Sequence, residues 1–423
     1  MGDQADHAGP PGPFAGLRVV EFGRFIAVPY CGQLLADGGA EVIKVEPLGG
    51  DPSRGNGMLP TGDSRQFVNK NRGKRSVALD LSMPAVADVV AGLVADADVI
   101  LANFRPGVAE RLGVDHATVA AVNPRVIYAV NTAYGDEGPH GGEVGVDVAV
   151  QAYSGLCQMG SLGPTPQPEP LIDYTAAMLL AFGVATALYH RERTGIGQRL
   201  DVSLLQASLL LQNNHVADLG VADDWRRHLV AWLDEAFRTG TSWAEIVEHW
   251  HHAAQGAGGD QGSVYYGIVR AADGYLAIGG GGVDLRARIA AILAEDGVVG
   301  TRPGSAGHEE QARAALARRP VAEWLARLGA QGVPAAPLRF REQMVDDEQA
   351  WANGYLVRLP HPRLGEITTV GPPLRLGSSP MRATTPPPDL GQDTRVVLEG
   401  LGLDEARIDA LARAGAIGLG PPN

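Results

Sequence analysis

The residue with the clearest chemical potential is Asp173. It sits in EPLIDYTAAMLLAFGVATALYHRERTGIGQ (169–198), just before a long apolar run that ends in a basic cluster. A carboxylate in this place has two uses. As an N-cap it would accept backbone N–H bonds from Tyr174 to Ala176. The same backbone dipoles favour its ionised form. An ordinary aspartate is already an anion at neutral pH, so it needs no general base to act as a covalent nucleophile. Spacing alone leaves both uses open.

Cations come next. NKNRGKRS (69–76) carries Lys70, Arg72, Lys74 and Arg75, and ANFRPGVAERLG (102–113) carries Arg105 and Arg111. Both segments border strand-like stretches, and fixed cations there would suit phosphates. They also read as solvated loops with ordinary surface charge. Two glycine-rich pieces, QGAGGDQG (255–262) and GGGG (279–282), could cover a site or donate N–H groups to an oxyanion, or could be plain turns. HWHH (249–252) lacks the spacing of a metal-binding helix, so no metal site is expected. Cys31 and Cys157 read as small buried hydrophobes, with no CxxC or Cys/His zinc pattern around them.

These residues need a scaffold. LRVVEFG (17–23) reads as a strand, VPYCGQLLADGG (28–39) as a helix with a Gly C-cap, and AEVIKVE (40–46) as a second strand. That β–α–β order predicts a parallel sheet. It continues with a short strand at 77–81, a helix at 84–97, and strands at 98–103 and 124–134. Residues 175–215 read as mostly helical and 216–262 as surface helices and loops. A hairpin with a DG turn is expected at 265–282, helices at about 284–294 and 309–328, short strands in a Pro/Gly-rich tail, and a last helix at 405–418. Neither GxGxxG nor GxxxxGK[ST] occurs, which removes the main support for nicotinamide or P-loop nucleotide binding.

Composition sets outer bounds. The 423 residues suggest two or three domains at roughly 150 residues each. With 45% apolar and 20% charged residues, the chain has an ordinary globular profile. A net charge of −13 argues against a general nucleic-acid binder. Residues 1–13 read as a disordered leader without the features of a signal peptide. The apolar run Ala176 to Tyr189 is short for a membrane span. The expected compartment is the reducing cytoplasm.

Taken together, eight pieces resemble one family, the class III CoA-transferases. In order they are LRVVEFGRFIAVPYCGQLLADGGAEVIKVEPLGGDPSR, NRGKRSVALDL, ANFRPG, NPRVIYA, GVDVAVQAYSGL, LIDYTAAM…ALYHRERTGIGQRLDVSLLQA, GVPAAP and PPPDLGQDT. The resemblance, which extends to formyl-CoA and carnitine CoA-transferases, implies an α/β fold. It comprises a Rossmann-like large domain (14–218 plus 338–423), a smaller α/β domain (225–330) and an interlocked homodimer. It implies that Asp173 is the nucleophile, capping its helix as well. CoA contacts would come from Ile26, Ala27, Lys74, Arg75, Asn103, Phe104, Arg105 and Arg111. Asp147 would support the active site, and the loop Gly256 to Gly262, with Gly258 and Gly259, would cover it in preference to Gly279–Gly282.

The implied reaction moves CoA from an acyl-CoA donor to a carboxylic acid acceptor, with CoA as substrate and no tightly bound cofactor. Pro47, Val144 and Val146 depart from the formyl-CoA transferase pattern, so no formyl specificity is implied. The same fold includes α-methylacyl-CoA racemases and related isomerases and lyases. Those racemases place a histidine where this chain has Val146 in Gly145-Val146-Asp147. A catalytically silent CoA-binding protein is the alternative of a different class.

Overall fold

The structure is a computed structural model that describes residues 10–59, 62–160, 162–254, 263–301 and 305–420. The chain forms two compact units. One joins the chain up to Asp218 with the chain from Glu348 onward, and the other is Leu219–Asp347.

The first unit is built on a seven-stranded sheet. Its strands in chain order are β1 (Arg18–Phe22), β2 (Glu41–Glu46), β3 (Lys74–Leu79), β4 (Val99–Ala102) and β5 (Ile127–Thr132). A small hairpin, β6 (Gln158–Gly160) and β7 (Gly163–Thr165), precedes β8 (Gln198–Ser203). In the second unit lie β9 (Tyr266–Arg270), β10 (Tyr275–Gly279) and β11 (Ala335–Pro337). The first unit resumes with β12 (Leu356–His361), β13 (Gly365–Val370) and β14 (Ile417–Gly418). The large sheet runs β14-β3-β2-β1-β4-β5-β8, all parallel except the β14–β3 pair.

Alternation along the strands explains the layering. In β1, Val19 joins a core with Val28 and Leu35 of the helix Ala27–Asp37 and with Leu180 and Val184 of the helix Leu171–Thr194. Its neighbour Val20 joins Leu93, Leu398 and Ile408 on the other face. Successive side chains point to opposite faces, so a sheet covered on both sides needs this near-continuous apolar sequence. The Leu171–Thr194 helix, 24 residues long, is long and apolar enough to cross a membrane by length and composition alone. In this unit its Ile172, Ala176, Ala177 and Leu180 are buried in the core of the first layer.

Strand order reverses around β1. The chain moves outward through β2 and β3, then returns to β4 and continues to β5 on the other side. Open α/β sheets bind ligands at such a switch, beyond the carboxyl ends of the strands.

Three elements differ from the sequence expectation. The last helix, expected at 405–418, ends at Arg413, and Ile417–Gly418 pairs with β3 as the strand β14. QRLDVS (198–203) is the strand β8, not part of a helical stretch, because Gly195 ends the preceding helix in a left-handed conformation (φ 77°) and the chain turns back along β5. The expected helix at 309–328 is two helices, Ala306–Leu316 and Val321–Ala330, with Pro320 as the N-cap of the second. The second unit packs these helices on the β11-β10-β9 sheet around buried Trp324, Leu276 and Ile289. The indole N–H of Trp324 donates to the Leu316 carbonyl at 2.8 Å, which satisfies the one polar atom that burial would otherwise strand.

Candidate active site

Asp173 is the third residue of its helix and stands inside the first turn. The sequence expectation that it caps this helix is therefore corrected: the N-cap residue is Pro170, and no side chain from it serves the cap. The free amides are served from another helix, Asp147–Ser154. Asp147 Oδ2 accepts from the backbone N–H of Ile172 at 3.1 Å and of Asp173 at 3.3 Å. Gln151, one turn along the same helix, donates to Asp147 Oδ1 and accepts the backbone N–H of Gln167 at 2.7 Å. Asp147 is thus fixed by its own helix and in turn fixes the start of the next.

The two carboxylates set the electrostatics. Burial pushes the Asp173 carboxyl up, the negative charge of Asp147 pushes it further, and Lys70 pulls it partly back. The result is a pKa of about 7, against an ordinary value near 4. Tyr174 lies beside this group, its ring edge-on to Tyr30 at 5.2 Å and under the Lys70 ammonium at 5.4 Å. Tyr30 belongs to the helix Ala27–Asp37, which opens directly after the β1 loop.

That loop holds the one strained residue among the described non-glycine positions. Phe25 has φ 66° and is 42% exposed. Its N–H donates to Asp51 Oδ1 at 3.3 Å, and the Gly23 carbonyl accepts from buried Lys44 at 2.7 Å. Asn103, after β4, closes the same loop by pairing with both the N–H and the carbonyl of Arg24, at 3.0 and 2.9 Å. A bulky residue in left-handed backbone costs energy that the surrounding contacts must offset.

Beyond the carboxyl ends of β1 to β4 lies a cavity of about 380 Å³. Phe22, Pro47, Leu48, Leu81 and Phe104 give it apolar walls; Arg24, Ser82 and Arg111 give it polar ones. The rings of Phe22 and Phe104 meet at 5.7 Å. Exposed Arg24, Arg105 and Arg111 form no ion pair with any described residue, which leaves their donors free for an anion.

The expected CoA contacts divide accordingly. Phe104 and Arg111 line the cavity, Arg105 follows Phe104 in the same loop, and Asn103, Ile26 and Ala27 shape the neighbouring turn. Lys74 and Arg75 do not join them. They begin β3, and in a parallel sheet that is the end opposite the cavity. Lys74 is buried, and its ammonium donates to Glu21, the Pro29 carbonyl and Asn71 at 2.7, 2.7 and 2.9 Å. All three donors are used, so none remains for a phosphate. Arg75 pairs with Glu41 at 2.9 Å. Gly258 and Gly259 lie outside the described residues. No group of His, Cys, Asp and Glu able to hold a metal occurs among the described residues. Cys31 is buried, and its surroundings push the thiol well up, chiefly through desolvation.

Arg24, Leu48, Leu81 and Ser82 were not singled out from the sequence, and Pro47 was noted only as a departure from the formyl-CoA transferase pattern. Each follows β1, β2 or β3, so the rule for carboxyl ends of parallel strands would have found them. Lys70 was noted only as one of four clustered cations.

Residues 14–394 match the family described as CoA-transferase family III. The succinyl-CoA:glutarate CoA-transferase of Mus musculus is 30% identical over 420 residues, covering 96% of this chain and 90% of that one. The beta subunit of succinyl-CoA–L-malate CoA-transferase from Chloroflexus aurantiacus is 32% identical, covering 94% and 96%. A probable fatty acyl-CoA transferase of Mycobacterium tuberculosis is 31% identical, covering 92% and 98%. The crystal structure of a hypothetical protein from Mycobacterium tuberculosis superposes with a TM-score of 0.73 at 30% identity, covering 92% of this chain and 100% of that one.

Proposed function

The chain belongs to CoA-transferase family III, and from that premise we propose that it moves CoA from an acyl-CoA thioester to a carboxylic acid through a covalent intermediate on Asp173. The observation that carries this reading is the half-buried Asp173 carboxylate at a helix start, beside a second carboxylate that anchors its backbone.

An Asp173 carboxylate oxygen attacks the thioester carbonyl of the donor, and the C–S bond breaks. This gives an acyl–aspartyl anhydride and CoA thiolate. The thiolate attacks the aspartyl carbonyl and expels the donor acid as a carboxylate, leaving CoA on Asp173 as a thioester. The acceptor carboxylate then attacks that thioester, CoA thiolate leaves, and the thiolate takes the new acyl group while Asp173 returns to its carboxylate form. Each step exchanges one anion for another, so no proton need move. Covalent catalysis of this kind divides one exchange into steps of similar energy.

The cavity at the carboxyl ends of β1 to β4 suits the nucleotide end of CoA: Phe104 offers a ring face, and Arg24, Arg105 and Arg111 offer donors for phosphates. Ile26 and Ala27 would lie along the path from there to Asp173, since their turn leads into the helix whose Tyr30 touches Tyr174. Lys74 and Arg75 are not part of this set. The interlocked homodimer, a covering role for Gly258 and Gly259 and a cytoplasmic setting belong to the same proposal, carried by the family resemblance.

The raised Asp173 pKa also suits a general acid or base, so α-proton exchange on a 2-methylacyl-CoA is the second reading. Intact mass measurement separates the two. Incubation with a panel of acyl-CoA thioesters should give a CoA-sized adduct that hydroxylamine removes and that Asp173→Ala lacks. No adduct, together with deuterium entering the α-carbon, would overturn the transfer reading in favour of the racemase.

A further inference from the structure

The segment Asn69–Arg75 carries four cations, and three of them are spoken for. Arg72 pairs with Asp37 at 2.6 Å, Lys74 with Glu21 at 2.7 Å, and Arg75 with Glu41 at 2.9 Å. Lys70 is different. It is only 6% exposed, yet its ammonium forms no hydrogen bond and no ion pair with any described residue. What it faces is the active site: the ring of Tyr174 at 5.4 Å, and the charges of Asp173 and Glu169. The backbone that presents it is held on both sides. The Asn69 side chain accepts from Thr369 at 2.9 Å, and Arg72 bridges Asp37 and the Val370 carbonyl. A buried ammonium without an anion in contact is costly, and here it is held rigidly beside the proposed nucleophile.

We infer that Lys70 is a specificity-determining residue that receives the second, non-reacting carboxylate of a dicarboxylic acid. The assignment rests on the aspartyl-transfer reading of Asp173. In the free enzyme the Lys70 charge is partly answered by ionised Asp173. Once Asp173 carries CoA as a thioester it is neutral, and of the two carboxylates near Lys70 only exposed Glu169 remains. The intermediate therefore attracts an anion at the stage when the acceptor must enter. The reacting carboxylate is not the group held, because an oxygen tied to an ammonium is a poorer nucleophile. One carboxylate rests on Lys70 and the other attacks the aspartyl thioester carbonyl, with CoA thiolate as the leaving group.

The test uses the CoA-loaded protein and matched acids of equal chain length: malonate with propionate, succinate with butyrate, and glutarate with valerate. Discharge of the CoA adduct is followed by intact mass at a range of acid concentrations. In the wild type at least one diacid should be favoured over its partner by about tenfold or more, the size of a charge-assisted hydrogen bond. Lys70→Met should abolish that preference, slowing discharge by the diacid by a clearly larger factor than discharge by the monoacid. Lys70→Arg should retain most of it. If Lys70→Met does not fold, Lys70→Gln is read in the same way.

The assignment is overturned if no pair shows a preference in the wild type. It is also overturned if Lys70→Met slows both acids by one common factor, as a purely structural role or a role in ionising Asp173 would require. Failure of every thioester to load Asp173 overturns the transfer reading and the assignment together, whereas loading with unchanged selectivity overturns the assignment alone.

Discussion

The carboxylate of Asp147 accepts a hydrogen bond from the backbone N–H of Asp173, so one acidic residue anchors the other while opposing its ionisation. Two like charges this close would ordinarily be avoided. Here the amides at the helix start absorb part of the Asp147 charge and keep the pair together. The arrangement places the Asp173 titration near neutral pH, where a change in either partner becomes measurable.

Asp147→Asn should keep an oxygen acceptor for the amides but remove the opposing charge. The pH midpoint for loading CoA onto Asp173 is then expected to fall below about 7, because the ionised nucleophile persists to lower pH. Rates of adduct formation between pH 5 and 9 would show it. A midpoint that stays in place would mean that Asp147 does not act on Asp173 through its charge. Asp147→Ala, which loses the acceptor too, should also cost about 1 kcal/mol of stability, the usual value of a helix cap.

Asp173→Asn should abolish adduct formation and raise stability at alkaline pH. Native Asp173 has a pKa of about 7, above its unfolded value near 4, so the folded protein binds the proton more tightly. Its stabilising contribution is complete below pH 4 and is lost as pH rises through 7. Full burial would make the cost of ionisation about 4 kcal/mol, and partial exposure to solvent reduces it to about 1–2 kcal/mol. Urea unfolding at pH 5 and pH 8 should therefore show the asparagine variant gaining more on the wild type at pH 8 than at pH 5. An equal difference at both values would contradict the raised pKa.

Phe25→Val should destabilise the protein by about 1–2 kcal/mol, since a β-branched residue tolerates positive φ poorly. Phe25→Gly should be neutral or stabilising by up to about 1 kcal/mol, because glycine adopts this backbone without a steric penalty. Thermal unfolding of both variants would distinguish strain from a simple packing role, in which both would lose stability.

Arg111→Ala should raise the KM for CoA thioesters by about tenfold or more at low salt and by less at high salt, as expected for a phosphate contact made by an exposed side chain. Arg75→Ala should leave that KM within about twofold, because its partner is Glu41 at the other end of the strands. A larger effect from Arg75 than from Arg111 would place the nucleotide elsewhere.

Much of this framework was legible in the chain. The strands β1, β2 and β4 announce themselves through stretches rich in β-branched and apolar residues, and Asp173 through its place before the longest apolar run. What local pattern could not give was direction. Lys74 and Arg75 look like phosphate ligands in one dimension, but parallel pairing puts them at the start of β3, and Glu21 and Glu41 from two other strands take their charge. The same limit applied to the cap: Asp173 has the right residue type, but the donor amides are met by Asp147, 26 positions away. β8 was hidden because its short QRLDVS sequence acquires strand character only by pairing with β5.

The pairing of β14 with β3 carries a consequence for biosynthesis. When the first 218 residues leave the ribosome, β3 still has one unpaired edge, and the core face around Val20 and Leu93 lacks Val397, Leu398, Ile408 and Leu411. The segments that complete them follow after the whole second unit, roughly 10–40 seconds later at ordinary rates of translation. Throughout that interval the nascent chain presents an open strand edge and an uncovered apolar face, the two features that most invite aggregation or capture by a chaperone.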